Sequence, residues 1–455
     1  MAHLEQYSIE ELIALVVRLD SVVEALQKRV AELEAENEFL RNGGPKPPTI
    51  NVLPPFVKRN RVKIDDVGKK SRKVRDRGFA RPASAESSRT EIHSVKDCPD
   101  CGRSLAGGWV HCSREVIDIP VVTFEVIKHV FLARRCGVCK KRYVPHSNEA
   151  LASHSVGRHR MGTRLMSLIA YMSTVCRMPI RQIKRLLASL FGLEISEGGI
   201  VHLLQSVAKA GSKIYEELRN KVRGSPFVHA DETGWREDGI NGYLWSFSTD
   251  NVRYFHRNQS RGNIVPKNVL GENYQGIIIS DFYSAYSYHA GLHQRCWVHL
   301  LRDVKDLTET HPEDKRLRRW SNRLYEIYTE ATSCCYVSRK ARISAREMFQ
   351  RKLVVLAQPY AELHKEIAPQ ATLAKRLLRF EPEMFTFVEY PEISSNNNAA
   401  ERAIRPAVIN RKVSGGTRSK VGSDTKAILM SLFGTWNLQE QDPITACLQM
   451  LSAAK

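Results

Sequence analysis

The stretch that most constrains this chain is QGIIISDFYSAY, residues 275–286. Its core, Ile277 to Ile279, is short, unbroken and β-branched. Such a run is what a strand covered on both faces looks like. It ends on a carboxylate, Asp281. An earlier run, PFVHADETGW (226–235), ends its apolar part on Asp231. Between them, GYLWSFSTD (242–250) and VRYFHRN (252–258) read as aromatic and β-branched strands joined by a tight Asp250–Asn251 turn, followed by a helix over 263–271. The pattern predicts three strands, a helix and a fourth strand, with an aspartate on the first strand and another at the end of the fourth. A lone Asp at a strand end is more often a cap or turn residue. The weight therefore rests on the conjunction.

The flanking sequence predicts a multidomain α+β chain. Leu12, Leu19, Leu26, Leu33 and Leu40 recur every seven residues. Ile9, Val16, Val23, Val30 and Asn37 precede them by three. This is the pattern of a two-stranded coiled coil over 8–42 and implies a homodimer or higher assembly. One amphipathic helix packed on its own chain is the plainer alternative. Residues 43–94 hold Pro and Gly breakers and many Lys, Arg and Ser, and read as a basic flexible linker. Cys98 and Cys101 form one C-x-x-C and Cys136 and Cys139 another, around expected strands REVIDIPV (114–121) and FEVIKHVFLARR (124–135). Four thiolates suit a closed structural zinc site, so 95–147 reads as a zinc-ribbon-like domain. His111 and Cys112 are weaker ligand candidates. Residues 158–222 read as helices, with Gly192 and Ser196 separating the last two as in a helix-turn-helix. The start of the last helix, Glu197-Gly198-Gly199, has little to read bases with, so a plain bundle is the rival.

Lys and Arg number 69 against 49 Asp and Glu, a formal charge of +20. That excess points to a polyanion, first of all nucleic acid, because neutralising phosphates releases counterions. No segment has the roughly 18 uninterrupted apolar residues of a spanning helix. The beginning, MAHLEQYSIEEL, is acidic and unlike a signal peptide. The expectation is a cytoplasmic, nucleoid-associated prokaryotic protein with no membrane partner.

The strand–strand–strand–helix–strand order resembles the opening of a ribonuclease H-like fold, in which the first and fourth strands are neighbours. Asp231 and Asp281 would then lie side by side and repel unless a cation or proton sits between them. Mg²⁺, a hard ion that prefers oxygen, is the natural occupant. A third carboxylate is expected on a later helix, and SSNNNAAERAIRPAVINRK supplies Glu401, with the Asn run as a helix cap. Arg402, Arg405, Arg411 and Lys412 sit close by as candidate phosphate contacts. Glu232, Asp238 and Asp303 are rivals. Glu232 ranks lower because it points to the other face of its strand.

HADETGWR, SDFYSAY, CWVHLLRD and NNNAAERAIRP resemble the transposases of the insertion-sequence-66 family, of the DDE superfamily. The likeness runs over nearly the whole chain. It implies a catalytic trio of Asp231, Asp281 and Glu401. It also implies two Mg²⁺ ions, with Mn²⁺ able to stand in, and DNA (element ends and target) as partner, with accessory proteins an open matter. The catalytic domain would run over 226–303 and 391–436, around a helical insertion at 304–390, with a tail at 437–455. Cys296 and His299 form a Cys-x-x-His at the start of the insertion. They are expected to support the site together with Arg302, and metal binding there is the minor reading. The implied activity is cleavage of element ends and joining of the 3′-hydroxyl to target DNA. A non-catalytic DNA-binding relative, or a nuclease that never joins, is the alternative.

Overall fold

A computed structural model describes residues 23–24, 27, 30, 89–114, 116–117, 119, 122–145 and 159–453. The chain divides into two units, Met1–Ile117 and Asp118–Lys455. In the first, Val23, Glu24, Gln27 and Val30 are helical. The heptad leucines and nearly all of the basic linker lie outside the described residues. Cys98 and Cys101 sit on a tight turn. The Cys98 N–H donates to Arg103 O (2.8 Å) and the Gly102 N–H to Cys98 O (2.8 Å).

The second unit begins with a small hairpin, β1 (Arg134–Arg135) antiparallel to β2 (Arg142–Tyr143). Of the long strand expected over 124–135, only Arg134 and Arg135 pair, and the described residues of 114–121 carry no strand. Val116, Val126 and Val130 are exposed. An alternating strand needs a second apolar layer to bury one face, and this stretch has none.

Four helices follow: α1 (Thr163–Thr174), α2 (Ile180–Phe191), α3 (Glu197–Ala210) and α4 (Ser212–Arg223). Gly192 ends α2 in the left-handed region, φ 66°. Ser196 caps α3 by accepting the Gly199 N–H. These helices do not form a separate core. Ile169, Ile183, Leu204 and Val222 pack in one cluster with Val228, Phe247, Tyr254 and Ile278 of the sheet.

That sheet has five strands in the order β5-β4-β3-β6-β7. β3 (Phe227–Glu237), β4 (Ile240–Ser248) and β5 (Arg253–Asn258) are antiparallel neighbours. β6 (Ile277–Ser280) and β7 (His293–Arg295) add in parallel on the other side of β3. The helix α5 (Ile264–Leu270) makes the crossover from β5 to β6. β3 runs six residues beyond Asp231, further than its apolar run suggests. β4 pairs with it along its whole length and keeps the hairpin in register to Glu237↔Ile240.

Side chains alternate across a strand, and the two faces of β3 have different neighbours. Val228 and Ala230 meet the helices just described. On the other face Trp235 packs with Leu244, Phe255, Ile404, Ala407 and Met430. Those last three belong to α11 (Asn398–Ser414) and α12 (Lys420–Leu438).

Between β7 and α11 lies a helical insertion: α6 (Trp297–Thr310), α7 (Lys315–Ser333), α8 (Arg339–Ala361), α9 (Ala371–Phe380) and the short α10 (Thr386–Glu389). It has its own core around Trp297, Trp320, Phe349, Leu377 and Phe385. At the far end α13 (Pro443–Ala453) packs Cys447, Met450 and Leu451 against the first helices. No helix among the described residues is long and apolar enough to cross a membrane.

Candidate active site

The two aspartates are set by register. β3 and β6 pair in parallel as Phe227↔Ile277, Val228↔Ile278 and His229↔Ile279, a constant offset of 50. Asp231 and Asp281 each lie two residues beyond the last pair, at the same offset. Each is held locally. Asp231 Oδ1 accepts the Glu232 N–H at 2.9 Å, and Asp281 Oδ1 accepts the Tyr283 N–H at 2.9 Å. Arg295, fully buried on β7, donates to the Asp281 carbonyl at 2.8 Å and to Ser280 Oγ, and pairs with Glu383. The sequence reading missed Arg295. A lone Arg in a three-residue strand has no pattern of its own.

Glu401 sits in the first turn of α11, on the sheet face that Asp231 shares. Asn397 brings it there. Its side-chain amide donates to Ala230 O at 2.8 Å, next to Asp231, and its Oδ1 meets His229 Nδ1 at 3.1 Å. Its backbone N–H donates to Cys296 Sγ at 3.2 Å, and its carbonyl accepts the Glu401 N–H at 3.1 Å. Asn397 therefore occupies the N-cap position without making a side-chain cap. The Asn397 side chain satisfies a buried strand carbonyl instead, a bond costly to leave unmade; the Asn run still caps the helix through Asn396, whose Oδ1 accepts the Asn398 N–H at 3.1 Å.

The electrostatics follow from this convergence. Burial, then the charges of Glu232, Asp281 and Glu401, push the Asp231 carboxyl up to about 7. His299 lies 3.6 Å from Glu401. Its hydrogen bond with Cys296, together with the nearby charges of Glu401 and Asp281, lifts it to about 9 against the effect of burial. Ligand atoms of Cys296, His299 and Glu401 all lie within 4.8 Å of one another. Glu401 Oε1 is buried without a hydrogen-bond partner. Among the described residues the group of Cys296, His299 and Glu401 offers one sulfur, one nitrogen and one oxygen and does not include Asp231 or Asp281; the carboxylates act on one another through charge, which raises the proton affinity of Asp231.

The other candidates are placed as follows. Glu232 points to the opposite face, where Tyr286 Oη donates to it at 2.6 Å and Arg261 at 2.8 Å. Asp238 is exposed at the β3–β4 turn, away from the trio. Asp303 pairs with Arg376. Arg302 is exposed on α6, with no hydrogen bond or ion pair placing it at the carboxylates. Arg402, Arg405 and Lys412 are exposed on α11. Arg411 is engaged: its guanidinium donates to Thr233 Oγ1 at 3.1 Å and to Gly234 O, tying α11 to β3.

The cysteine pairs are two separate knuckles, each described in its own unit. Backbone N–H groups of Asp100 and Cys101 hold the Cys98 thiol below its usual range, and those of Cys139 and Val138 do the same for Cys136. Cys136 N–H donates to Lys141 O, closing the second turn.

Comparison with known proteins adds two findings. Residues 158–425 match the model of the family described as "Transposase IS66 family". Over 178 residues the chain is 28% identical to "Uncharacterized protein y4jO" of Sinorhizobium fredii (strain NBRC 101917 / NGR234), which is 38% of this chain and 51% of that protein. The chain thus spans about half the length of that relative. The matched segment covers the four helices, the whole sheet, the insertion and the helix that carries Glu401, and the chain belongs to the IS66 family of transposases.

Proposed function

We propose that this chain is a DNA transposase of the DDE type, acting through Asp231, Asp281 and Glu401 on a ribonuclease H-like sheet. The observation that carries the reading is the shared offset of 50 between β3 and β6, with Glu401 on the same face. The three carboxylates would hold two Mg²⁺ ions, or Mn²⁺ in their place. When bound, such ions neutralise phosphate charge and favour in-line displacement at phosphorus.

The chain's own residues define the rest. Local N–H bonds hold the Asp231 and Asp281 carboxylates at the same level of neighbouring strands, and Asn397 ties the start of the Glu401 helix to the strand carbonyl beside Asp231. His299, cationic beside Glu401, adds positive charge where a phosphate would sit. In the first reaction water displaces the 3′-oxygen at an element end, breaking a P–O bond and freeing a 3′-hydroxyl. In the second that hydroxyl displaces the 3′-oxygen of a target phosphodiester. Neither step forms a covalent protein–DNA bond. The zipper, where it pairs, would bring two such sites to two ends.

A strand-transfer assay with Mg²⁺ tests this. Asp231→Asn, Asp281→Asn and Glu401→Gln should each abolish joining, and Asp231→Asn with wild-type joining would sink the assignment. Nicked DNA without joined product would make the protein a nuclease instead.

We also propose that Cys98, Cys101, Cys136 and Cys139 are structural zinc ligands. The supporting observation is that each pair forms a tight turn with backbone N–H groups aimed at its first sulfur. Bound zinc, lowered in Cys98→Ser and in Cys136→Ser, is the expected result of metal analysis.

A further inference from the structure

The insertion turns a basic face toward the carboxylates. In α9 the stripe Leu373, Ala374, Leu377 and Phe380 is buried in the insertion core. The opposite stripe lines a cleft of about 550 Å³ that also holds Asp281, His299 and Tyr283. Amphipathic helices usually turn that stripe to open solvent, and here it faces the candidate active site.

The charges in this cleft are unevenly matched. Arg261 is neutralised by Glu232, and Arg376 by Asp303. Lys375 and Arg379 are exposed and form no ion pair among the described residues; Arg379 stacks over Phe380 at 5.1 Å. Four residues apart on a helix, their Cβ atoms are separated by roughly 6 Å. Two unmatched cations at that spacing, with Phe282 and Tyr283 as walls and Asp281 at one end, fit successive phosphates of one strand better than a small anion. Aromatic walls of this kind suit exposed bases.

We propose that Lys375 and Arg379 grip the backbone phosphates of the DNA strand that leads away from Asp281, so that the insertion is part of the DNA-binding surface. This rests on DNA being the substrate, but its test does not depend on chemistry. Fluorescence anisotropy of the full chain with a labelled duplex, in Ca²⁺ and over a salt series, gives the slope of log K against log salt. K375A/R379A should lower that slope by about 1.8 on duplex and about 1.4 on a single strand, at roughly 0.9 and 0.7 per phosphate. K375E/R379E should weaken binding further, and K375R/R379K should restore it. Wild-type slope and affinity in the charge-reversed variant would overturn the proposal. A wild-type chain that shows no salt-dependent DNA binding would sink the underlying reading, whereas wild-type binding with an unaltered slope in the charge-reversed variant would sink the grip alone.

Discussion

The aspartates and the glutamate reach the candidate site by different routes. Asp231 and Asp281 lie at the ends of neighbouring strands, and a few ladder bonds fix their level. Glu401 returns after a helical excursion with a core of its own, on a helix that Asn397, Arg411 and the packing of Ile404 and Ala407 hold to β3. Backbone pairing places the first two. Side-chain hydrogen bonds across a long gap in sequence place the third. Placement by backbone pairing should tolerate substitution better than placement by side-chain contacts.

The largest effect expected comes from the carboxylates themselves. Asp231→Asn should lower joining by at least about a hundredfold, of the order that lost transition-state stabilisation produces. Next are the two cores. Phe385→Ala in the insertion and Phe247→Ala in the sheet each empty a fully buried site, at about 3–5 kcal/mol. Calorimetry of Phe385→Ala should show an early transition absent from Phe247→Ala. A single shared transition in both would break the distinction between the regions.

A smaller effect is expected at the link. Asn397→Ala leaves the Ala230 carbonyl and His229 Nδ1 without their partner, at about 1–3 kcal/mol for a buried polar group left unsatisfied. Joining should fall about tenfold or more, with a higher Mg²⁺ midpoint, because a misplaced ligand is enough to slow chemistry. An unchanged Mg²⁺ midpoint would mean that Glu401 is positioned by other contacts.

The last effect is spread over pH units and is on stability. Asp231 is raised in the folded chain from 3.8 to about 7. The folded state therefore holds a proton that the unfolded state has released. Without metal, stability should fall as pH rises from about 4 to about 7 and level off above, by less than about 1.4 kcal/mol per pH unit. Asp231→Asn should flatten that slope in denaturant titrations.

Much of the sheet was legible because its signals are local. GIIISD and PFVHAD are strands by composition, and the aspartates lie at positions that the parallel register makes equivalent. The helices of the insertion were legible from their periodicity, as in α7 and α8. Arg295 and Asn397 were not, since each acts through contacts with residues about 90 to 170 positions away. The strands expected before Cys136 failed for a related reason. Alternation alone does not supply a second layer to bury against. The Asn run was read as a cap because that is the local use of Asn, and nothing local announces a strand carbonyl from β3.

The contacts around Asn397 have a consequence for how this chain can change. The Asn397 N–H reaches Cys296, and the Trp297 N–H donates to Ser395 O at 3.1 Å. The excursion from β7 to α11 therefore leaves and rejoins the sheet side by side, like a bag drawn shut at its mouth. Closing a loop costs little more as the loop lengthens. Helices can be added to the bag without altering the distance from the mouth to Asp231, provided that the Arg295–Glu383 pair is kept.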